Sequence, residues 1–205
     1  MTDRVIIVGG GHIGIACAHY LQQDGHDVTV IDQGEIGGAC SRANCGFIVP
    51  SHVLPLTTPD APLQGIRSIF QPKAAFRVKP QLRGSLARWM WEFGRRCTQT
   101  RMLAASETLH SLLEASARQY DTLLSSPELE CGWQNNGMLF VFRSAKALQD
   151  FSKTDTLLSS EYGLSARLIP SDDLQEFEPA LLDGLAGAYF YEGDSHLRPD
   201  RLNAS

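Results

Sequence analysis

The sequence lacks the features that mark disulfide scaffolds, membrane spans and nucleic-acid-binding proteins. Its 205 residues include five cysteines, an odd number with no CxxC pair, which indicates neither a disulfide framework nor a paired-cysteine metal site. No apolar run approaches the roughly 20 residues that cross a bilayer. The formal charge of −5 provides no basic field for a nucleic-acid backbone. We therefore expect a globular protein of the cytoplasm that binds a small molecule and no nucleic acid.

The N-terminal segment changes from strand to helix periodicity and back again. Arg4–Val8 is a short β-branched run bounded by glycine, which is typical of a buried parallel strand. His12–Asp24 repeats apolar residues every fourth position and is followed by glycine, which predicts a helix. A second apolar run ends at Ile31. The segment Met1–Asp32 thus has the order and length of a βαβ crossover.

The rest of the chain predicts a helical middle and a second sheet. Helices are expected, in chain order, over Pro62–Phe70, Gln81–Cys97, Thr100–Leu124 up to Pro127, Ser144–Ser160, Ser171–Phe177 with Ser171 as cap, and from Pro199 onward. The first two carry apolar stripes that we expect to face a core. Strands are expected over Met138–Phe142, Ala166–Ile169 and Ala188–Tyr191. The connections Gly34–Pro55 and Thr57–Pro62 are expected to be irregular.

Three glycines between the first strand and the first helix form a GxGxxG motif. Gly9 permits the tight turn, Gly11 lets a pyrophosphate approach the backbone, and Gly14 lets the helix pack closely on the strand. The free N–H groups and the positive dipole end of the following helix favour a diphosphate there. The motif therefore predicts a dinucleotide site.

Asp32 supports this interpretation because it ends the second strand, 18 positions after Gly14. A carboxylate at this point can accept both hydroxyls of an adenosine ribose and would repel a 2′-phosphate. FAD and NAD both remain compatible with these residues, whereas NADP is disfavoured.

The sequence resembles the D-amino-acid oxidase superfamily, which includes D-amino-acid dehydrogenases, glycine oxidase and sarcosine oxidase. The glycine motif is followed, in the order of the FAD fingerprint, by Ala18, Leu21, Gly25, Val28, Val30 and Asp32. The loop Ser41-Arg-Ala-Asn44-Cys45-Gly46 resembles the flavin-lining loop of these enzymes. Shorter matches follow in order at Trp89–Trp91, Gly137–Leu139, Glu178–Pro179 and Gly193–His196. Two departures are Asp32 where the family usually has Glu, and Cys45 where it often has Ala.

The resemblance implies an FAD-dependent oxidation of the amine of a D-amino acid or a related small amino acid to an imine and then a keto acid. Hydride passes to the flavin, so the cofactor carries the chemistry. The implied cofactor-binding residues are Gly9, Gly11, Gly14, Asp32, Gln33, Ser41, Asn44, Cys45 and Gly46. No catalytic residue and no metal site is nominated. His12, His52 and His196 are interpreted as structural.

The resemblance also implies an α/β, overall α+β, organisation: a Rossmann-like FAD-binding βαβ start and a partial substrate domain of helices and antiparallel strands. We expect a first FAD-binding segment over residues 1–79, the partial substrate domain over 80–197, and a helix returning to the FAD domain over 198–205. Such enzymes are about twice this length on the two-domain scale, so we expect an N-terminal fragment that is inactive alone.

Several alternatives remain open at this point. The chain could be part of an NAD-dependent oxidoreductase, or a non-catalytic nucleotide-binding or assembly module. Contact with a quinone, peripheral contact with the inner face of the membrane, and a partner chain that completes the fold are also compatible with the sequence.

Overall fold

The computed structural model describes residues 2–69, 81, 83–125 and 129–204. The predicted helix end at Phe70, the helix position Leu82, the helix stop at Pro127 and the domain boundary at residues 79/80 lie outside these ranges. The chain forms two compact units: one combines Met1–Val49 with Ala117–Ser205, and the other is Pro50–Ser116.

The strands are β1 Arg4–Val8, β2 Asp27–Ile31, β3 Phe47–Ile48, β4 Met138–Phe142, β5 Arg167–Pro170, β6 Gly187–Tyr191 and β7 Ser195–His196. The helices are α1 His12–Gln23, α2 Ala61–Ile69, α3 Gly84–Gly94, α4 Gln99–Leu124, α5 Ala145–Tyr162, α6 Leu174–Phe177 and α7 Pro199–Leu202. Every predicted element therefore forms, with ends that differ by at most a few residues among those described. The prediction that Gly34–Pro55 is irregular is wrong at Phe47–Ile48, which forms β3 by pairing with the unpredicted strand β7. The predicted fold class is confirmed.

The N-terminal βαβ unit pairs β1 and β2 in parallel, from Arg4 opposite Asp27 to Val8 opposite Ile31. Helix α1 ends before Gly25, which has φ +87°, a left-handed conformation that suits glycine after a helix. This is the crossover that the sequence predicts.

The prediction that β1 is buried is wrong, because one of its faces is only partly buried and the other is exposed. Side chains alternate along a strand, and Ile7 faces α1, because a Cβ on Gly14 of that helix would lie 3.4 Å from Ile7 Cγ2. The opposite face carries Ile6 and Val8, which are 65% and 85% exposed, and Ile31, 50% exposed. Among the described residues the sheet has two strands, and its one helix covers one side.

The second sheet of this unit is antiparallel, in the order β4-β6-β5. On one face, the Phe151 ring of α5 lies 5.0 Å from the rings of both Phe142 and Tyr189. The other face contributes Ile169 and Ala188 to a cluster with Leu174 of α6. Both faces of this sheet are therefore packed within the described chain.

The prediction that Ser171 caps a helix needs a correction. Ser171–Asp173 forms a 3-10 turn before α6, and the Ser171 hydroxyl donates to the carbonyl of Leu185 at 2.7 Å. The side chain therefore anchors the Leu185 segment, a non-local role that has no sequence signal. Ser144 does act as a helix cap, because its Oγ accepts from Ala147 N at 3.2 Å.

In the Pro50–Ser116 unit, the apolar stripes of α2 and α3 are more exposed than predicted. Leu63 and Ile66 are 51% and 56% exposed, and Trp89 is 51% exposed. Periodicity correctly predicts these helices, but it does not tell whether a described neighbour covers the stripe. Nowhere in the described ranges is a helix both long and apolar enough to cross a membrane.

Candidate nucleotide-binding site

The glycine loop joins β1 to α1, and its shape requires residues that have no side chain. Gly9 has φ +109°, and its N–H donates to the carbonyl of Ile31 at 2.7 Å. A Cβ on Gly14 would overlap the carbonyl oxygen of Gly9. Only glycine therefore allows this close approach of helix to turn, as the sequence predicts.

The carboxylate of Asp32 is bonded to backbone on both of its oxygens. Oδ2 accepts from Gly10 N at 2.7 Å and Oδ1 from Gly34 N at 2.8 Å. These bonds lower the pKa of the Asp32 carboxyl, with Gly10 the largest cause, Gly34 the next, and a smaller contribution from the backbone of Gln33. The group is therefore ionised near neutral pH. A carboxylate has about four acceptor positions, so capacity remains for hydroxyl donors.

Ser41 lies at the N-terminus of α1 although it is far away in sequence. Its Oγ accepts from His12 N at 2.9 Å, which satisfies one of the orphan donors that begin a helix. A Cβ on Gly11 would lie 3.0 Å from the same Oγ, so the hydroxyl occupies space next to the missing side chain. As the acceptor in this bond, Ser41 keeps its own hydroxyl proton for a further partner.

The loop after Ser41 is held by Asn44, whose side-chain amide both donates and accepts a hydrogen bond with the backbone of the loop. Asn44 Nδ2 donates to the Ser41 carbonyl at 2.9 Å, and Oδ1 accepts from Gly46 N at 2.6 Å. Gly46 is buried and has φ +65°. Cys45 is a free, exposed thiol. Asn44 therefore shapes the turn, and its own polar groups are partly used in doing so.

Residues near the end of the chain contact both ends of this loop. Leu197 N donates to the Gly46 carbonyl at 2.9 Å, next to the antiparallel pairing of β3 with β7. At the other end, Asn203 Nδ2 donates to the Gly37 carbonyl at 3.4 Å. Gly37 N in turn donates to the Gly10 carbonyl at 2.7 Å, which connects these contacts to the glycine loop.

The structure thus brings together most of the predicted residues around the start of α1: Gly9, Gly11, Gly14, Asp32, Gln33 and Ser41. Asn44, Cys45 and Gly46 lie further along the same loop. Four residues of this arrangement were not predicted from the sequence: Gly10, Gly34, Gly37 and Asn203. A signal existed for the glycines, since Gly10 stands within the motif, Gly34 follows Asp32 by two positions, and Gly37 belongs to the Gly37–Gly38 pair. None existed for Asn203, whose contact is non-local.

The described residues contain no cluster of side chains suited to a metal ion: no group of three or more His, Cys, Asp or Glu side chains among them could hold one. The structure places the backbones of two histidines left out of the site: His12 N is bonded to Ser41, and His196 pairs with Phe47 in the β3–β7 ladder. The interpretation of His12, His52 and His196 as structural stays a prediction.

A βαβ unit with a GxGxxG turn and an acidic residue at the end of the second strand is the architecture of dinucleotide-binding proteins. Family comparison makes this assignment specific. The chain belongs to the DAO family of FAD dependent oxidoreductases, whose model matches residues 4–205. The cofactor of this family is FAD, and the resemblance seen in the sequence is confirmed.

Solved structures with the same fold include several oxidases. Glycine oxidase from Bacillus cereus ATCC 14579 has a TM-score of 0.62 at 17% identity, over 100% of this chain and 42% of that one. Iminodiacetate oxidase from Chelativorans sp. BNC1 has a TM-score of 0.62 at 18% identity, over 98% and 42%. L-alpha-glycerophosphate oxidase from Mycoplasma pneumoniae, solved with FAD bound, has 0.56 at 15% identity, over 100% and 41%. The chain therefore spans about two fifths of the length of these enzymes.

Proposed function

We propose that this chain binds the ADP part of FAD at the glycine loop and belongs to an oxidoreductase acting on the amine of a D-amino acid or a related small amino acid. The observation that carries the proposal is the preformed Asp32 carboxylate, fixed by Gly10 N at 2.7 Å and Gly34 N at 2.8 Å. It supports an anionic ribose acceptor beside the glycine turn.

The residues present fit this part of FAD. A Cβ at Gly9 would meet nothing within 4 Å, so the turn has an open side for a ligand. The helix that begins beside it offers N–H donors and the positive end of its dipole to a diphosphate. We propose that the Ser41 hydroxyl, which receives the His12 N–H, donates its own proton to a phosphate oxygen.

The remaining predicted residues have orienting roles in this proposal. Asn44 and Gly46 shape the turn that we propose lies along the flavin end of the cofactor, with Cys45 as its exposed middle. Gln33 contributes its backbone beside Asp32. FAD supplies the hydride-accepting chemistry when bound, so the protein residues bind and orient rather than transfer protons. Because the chain spans about two fifths of the enzymes it matches, we expect no amine oxidation by these 205 residues alone.

The experiment is to mix the purified chain with FAD, remove unbound cofactor, record the visible spectrum and measure the Kd from quenching of flavin fluorescence. Asp32→Ala removes the ribose acceptor, and Gly11→Val places a branched side chain against Ser41 Oγ, 3.0 Å from the Cβ position. We expect each to raise the Kd by roughly 10-fold or more: Asp32→Ala because a hydrogen bond to a charged group is lost, and Gly11→Val because its side chain blocks the approach of the diphosphate.

His52→Ala is the matched control, because we assign no cofactor contact to His52 and expect its Kd to equal that of the parent chain. Equal FAD uptake by all four proteins would contradict the assignment of the site. A parent chain that remains colourless would contradict FAD binding by these 205 residues.

A second candidate is a nucleotide-binding assembly module, favoured by the exposed apolar face of β1 and β2. Ile6 and Val8, at 65% and 85% exposed, form a surface that a second chain could cover. A discrete dimer in sedimentation, dissociated by Val8→Asp, would support this candidate. The family's FAD dependence disfavours the NAD alternative, and the visible spectrum distinguishes the two because NAD has no visible absorption.

A further inference from the structure

The loop from Gly37 to Ile48 carries Ser41, and the structure fixes this loop at both ends through the segment Ser195–Asn203. We call this segment the clasp. At the far end of the loop, the clasp supplies β7 to pair with β3. A Cβ on Gly46 would also overlap the carbonyl oxygen of Leu197 and lie 2.9 Å from Pro199 Cδ. The contact is thus too close for any side chain at Gly46.

At the near end the clasp reaches Gly37 through the side chain of Asn203. Gly37 is buried, with φ +69°, and a Cβ there would lie 2.6 Å from Asn203 Cβ and 2.8 Å from its Nδ2. Asn203 Nδ2 also donates to the Gly37 carbonyl at 3.4 Å. Its Oδ1 is buried and has no partner within the described chain. A buried amide with one acceptor unsatisfied carries a cost, so packing alone does not explain an asparagine here.

Gly37 then transmits this contact to the cofactor site. Its N–H donates to the Gly10 carbonyl at 2.7 Å, and the N–H of Gly10 donates to Asp32 Oδ2 at 2.7 Å. One residue at each step, first Gly37 and then Gly10, therefore connects Asn203 to the carboxylate proposed to bind ribose. The carbonyl and the N–H of each glycine belong to adjacent peptide units, which are planar. The coupling is therefore mechanical, because fixing Gly37 restrains the position of the Gly10 backbone.

We propose that Asn203 is a positioning residue of the cofactor site, which holds Gly37 and thereby sets the orientation of the Gly10 peptide and of Asp32. It does not touch the cofactor in this role. The inference rests on the proposed function for its effect on FAD, whereas its effect on the loop backbone can be measured without FAD.

The test compares the full chain with Asn203→Ala, Asn203→Ser and the control Arg201→Gln, which alters an exposed residue of α7, the helix that ends directly before Asn203. Two quantities are measured: the Kd for FAD from fluorescence quenching, and hydrogen exchange of the backbone amides of residues 34–41 without FAD. Far-UV circular dichroism and the melting temperature establish that each variant is folded. Asn203→Ser keeps a short polar side chain in case Asn203→Ala does not fold.

We expect Asn203→Ala to raise the Kd by roughly three- to tenfold, the effect of one neutral hydrogen bond, and to accelerate exchange in residues 34–41. Arg201→Gln should change neither. In a double-mutant cycle with Asp32→Ala, the two effects on the Kd should be non-additive, because they act through one chain of bonds. A purely structural role would give additive effects.

Unchanged exchange and an unchanged Kd in folded Asn203→Ala would overturn the inference and leave the proposed function intact. Absence of FAD binding by the parent chain would contradict the proposed function. In that case accelerated exchange in Asn203→Ala would still support the positioning of the loop, and unchanged exchange would overturn it.

Discussion

The βαβ unit and the β4-β6-β5 sheet belong to the same compact unit but are stabilised differently. The aromatic sheet is packed on one face by Phe151 and on the other around Leu174, which is 2% exposed. The parallel pair β1–β2 has one face against α1 and leaves Val8 85% exposed on the other. The β4-β6-β5 sheet has a core of its own. The βαβ unit instead has a glycine loop that is held mainly by hydrogen bonds of the backbone.

This difference shows that the geometry of the glycine loop and the burial of an apolar core can be varied separately. The glycine loop needs a few close backbone approaches and the carboxylate of Asp32, and these require little buried apolar area. The β4-β6-β5 sheet depends on burial, which is the dominant favourable contribution to folding. Mutations should therefore affect stability most in the aromatic sheet and cofactor affinity most in the βαβ unit.

The largest expected effect on stability comes from emptying the core on the second sheet. Leu174→Ala should lower the free energy of unfolding by about 2–5 kcal/mol, the range for removing a buried leucine. Leu182, which is 79% exposed, gives the matched control, and Leu182→Ala should change the same quantity by less than about 0.5 kcal/mol. Urea unfolding followed by circular dichroism measures both. Equal effects would mean that this cluster does not form in solution.

A smaller effect is expected from the polar group within the same sheet. Tyr191 is 4% exposed, and its hydroxyl donates to Asp155 Oδ1 at 3.2 Å, which also accepts from Ala166 N at 3.0 Å. Tyr191→Phe should cost about 0.5–1.5 kcal/mol, the net value of one hydrogen bond. Tyr20→Phe removes an exposed bond to Gln119 of 3.2 Å and should cost less.

The same tyrosine predicts a dependence of stability on alkaline pH. Burial, followed by the nearby charge and hydrogen bond of Asp155, raises the pKa of Tyr191. The folded chain therefore keeps a proton that the unfolded chain loses near pH 10. This contribution to stability is fully present below about pH 10 and is lost as the pH rises above it. Tyr191→Phe should show a shallower decline in urea midpoint above pH 10 than the parent; an identical decline would contradict this origin.

The smallest effect is expected on the open face of β1. Val8 is 85% exposed, so Val8→Thr, which replaces one methyl group with a hydroxyl, should change the free energy of unfolding by less than about 0.5 kcal/mol. Val141→Thr, at a partly buried position packed on the Leu174 cluster, should cost about 1–3 kcal/mol because the hydroxyl must be desolvated. Similar costs at the two positions would show that the β1 face is covered in solution.

The sequence allowed the elements and the glycine turn to be predicted because their signals are local. The change of periodicity around Gly9 and the apolar run Met138–Phe142 each lie within a few residues, and Asp32 follows Gly14 by only 18 positions in the same βαβ unit. Burial could not be predicted from the same patterns. Ile6 and Leu139 both lie in short apolar strands, but Ile6 is exposed whereas Leu139 is packed against the Leu174 cluster. Ser171, Ser41 and Asn203 depend on partners 14, 29 and 166 positions away, which periodicity does not detect.

The pairing of β3 with β7 joins Phe47 to His196, and this separation has a consequence during synthesis. A ribosome adds about 5–20 residues per second, so the loop that carries Ser41 is made on the order of ten seconds before the strand that secures it. Through this interval the nascent chain can fold β1, α1 and β2 but not the clasp. The proposed binding of the cofactor is then expected to follow the emergence of Ser195–Asn203 from the ribosome, so that slower translation of the intervening residues delays cofactor binding without changing the folded product.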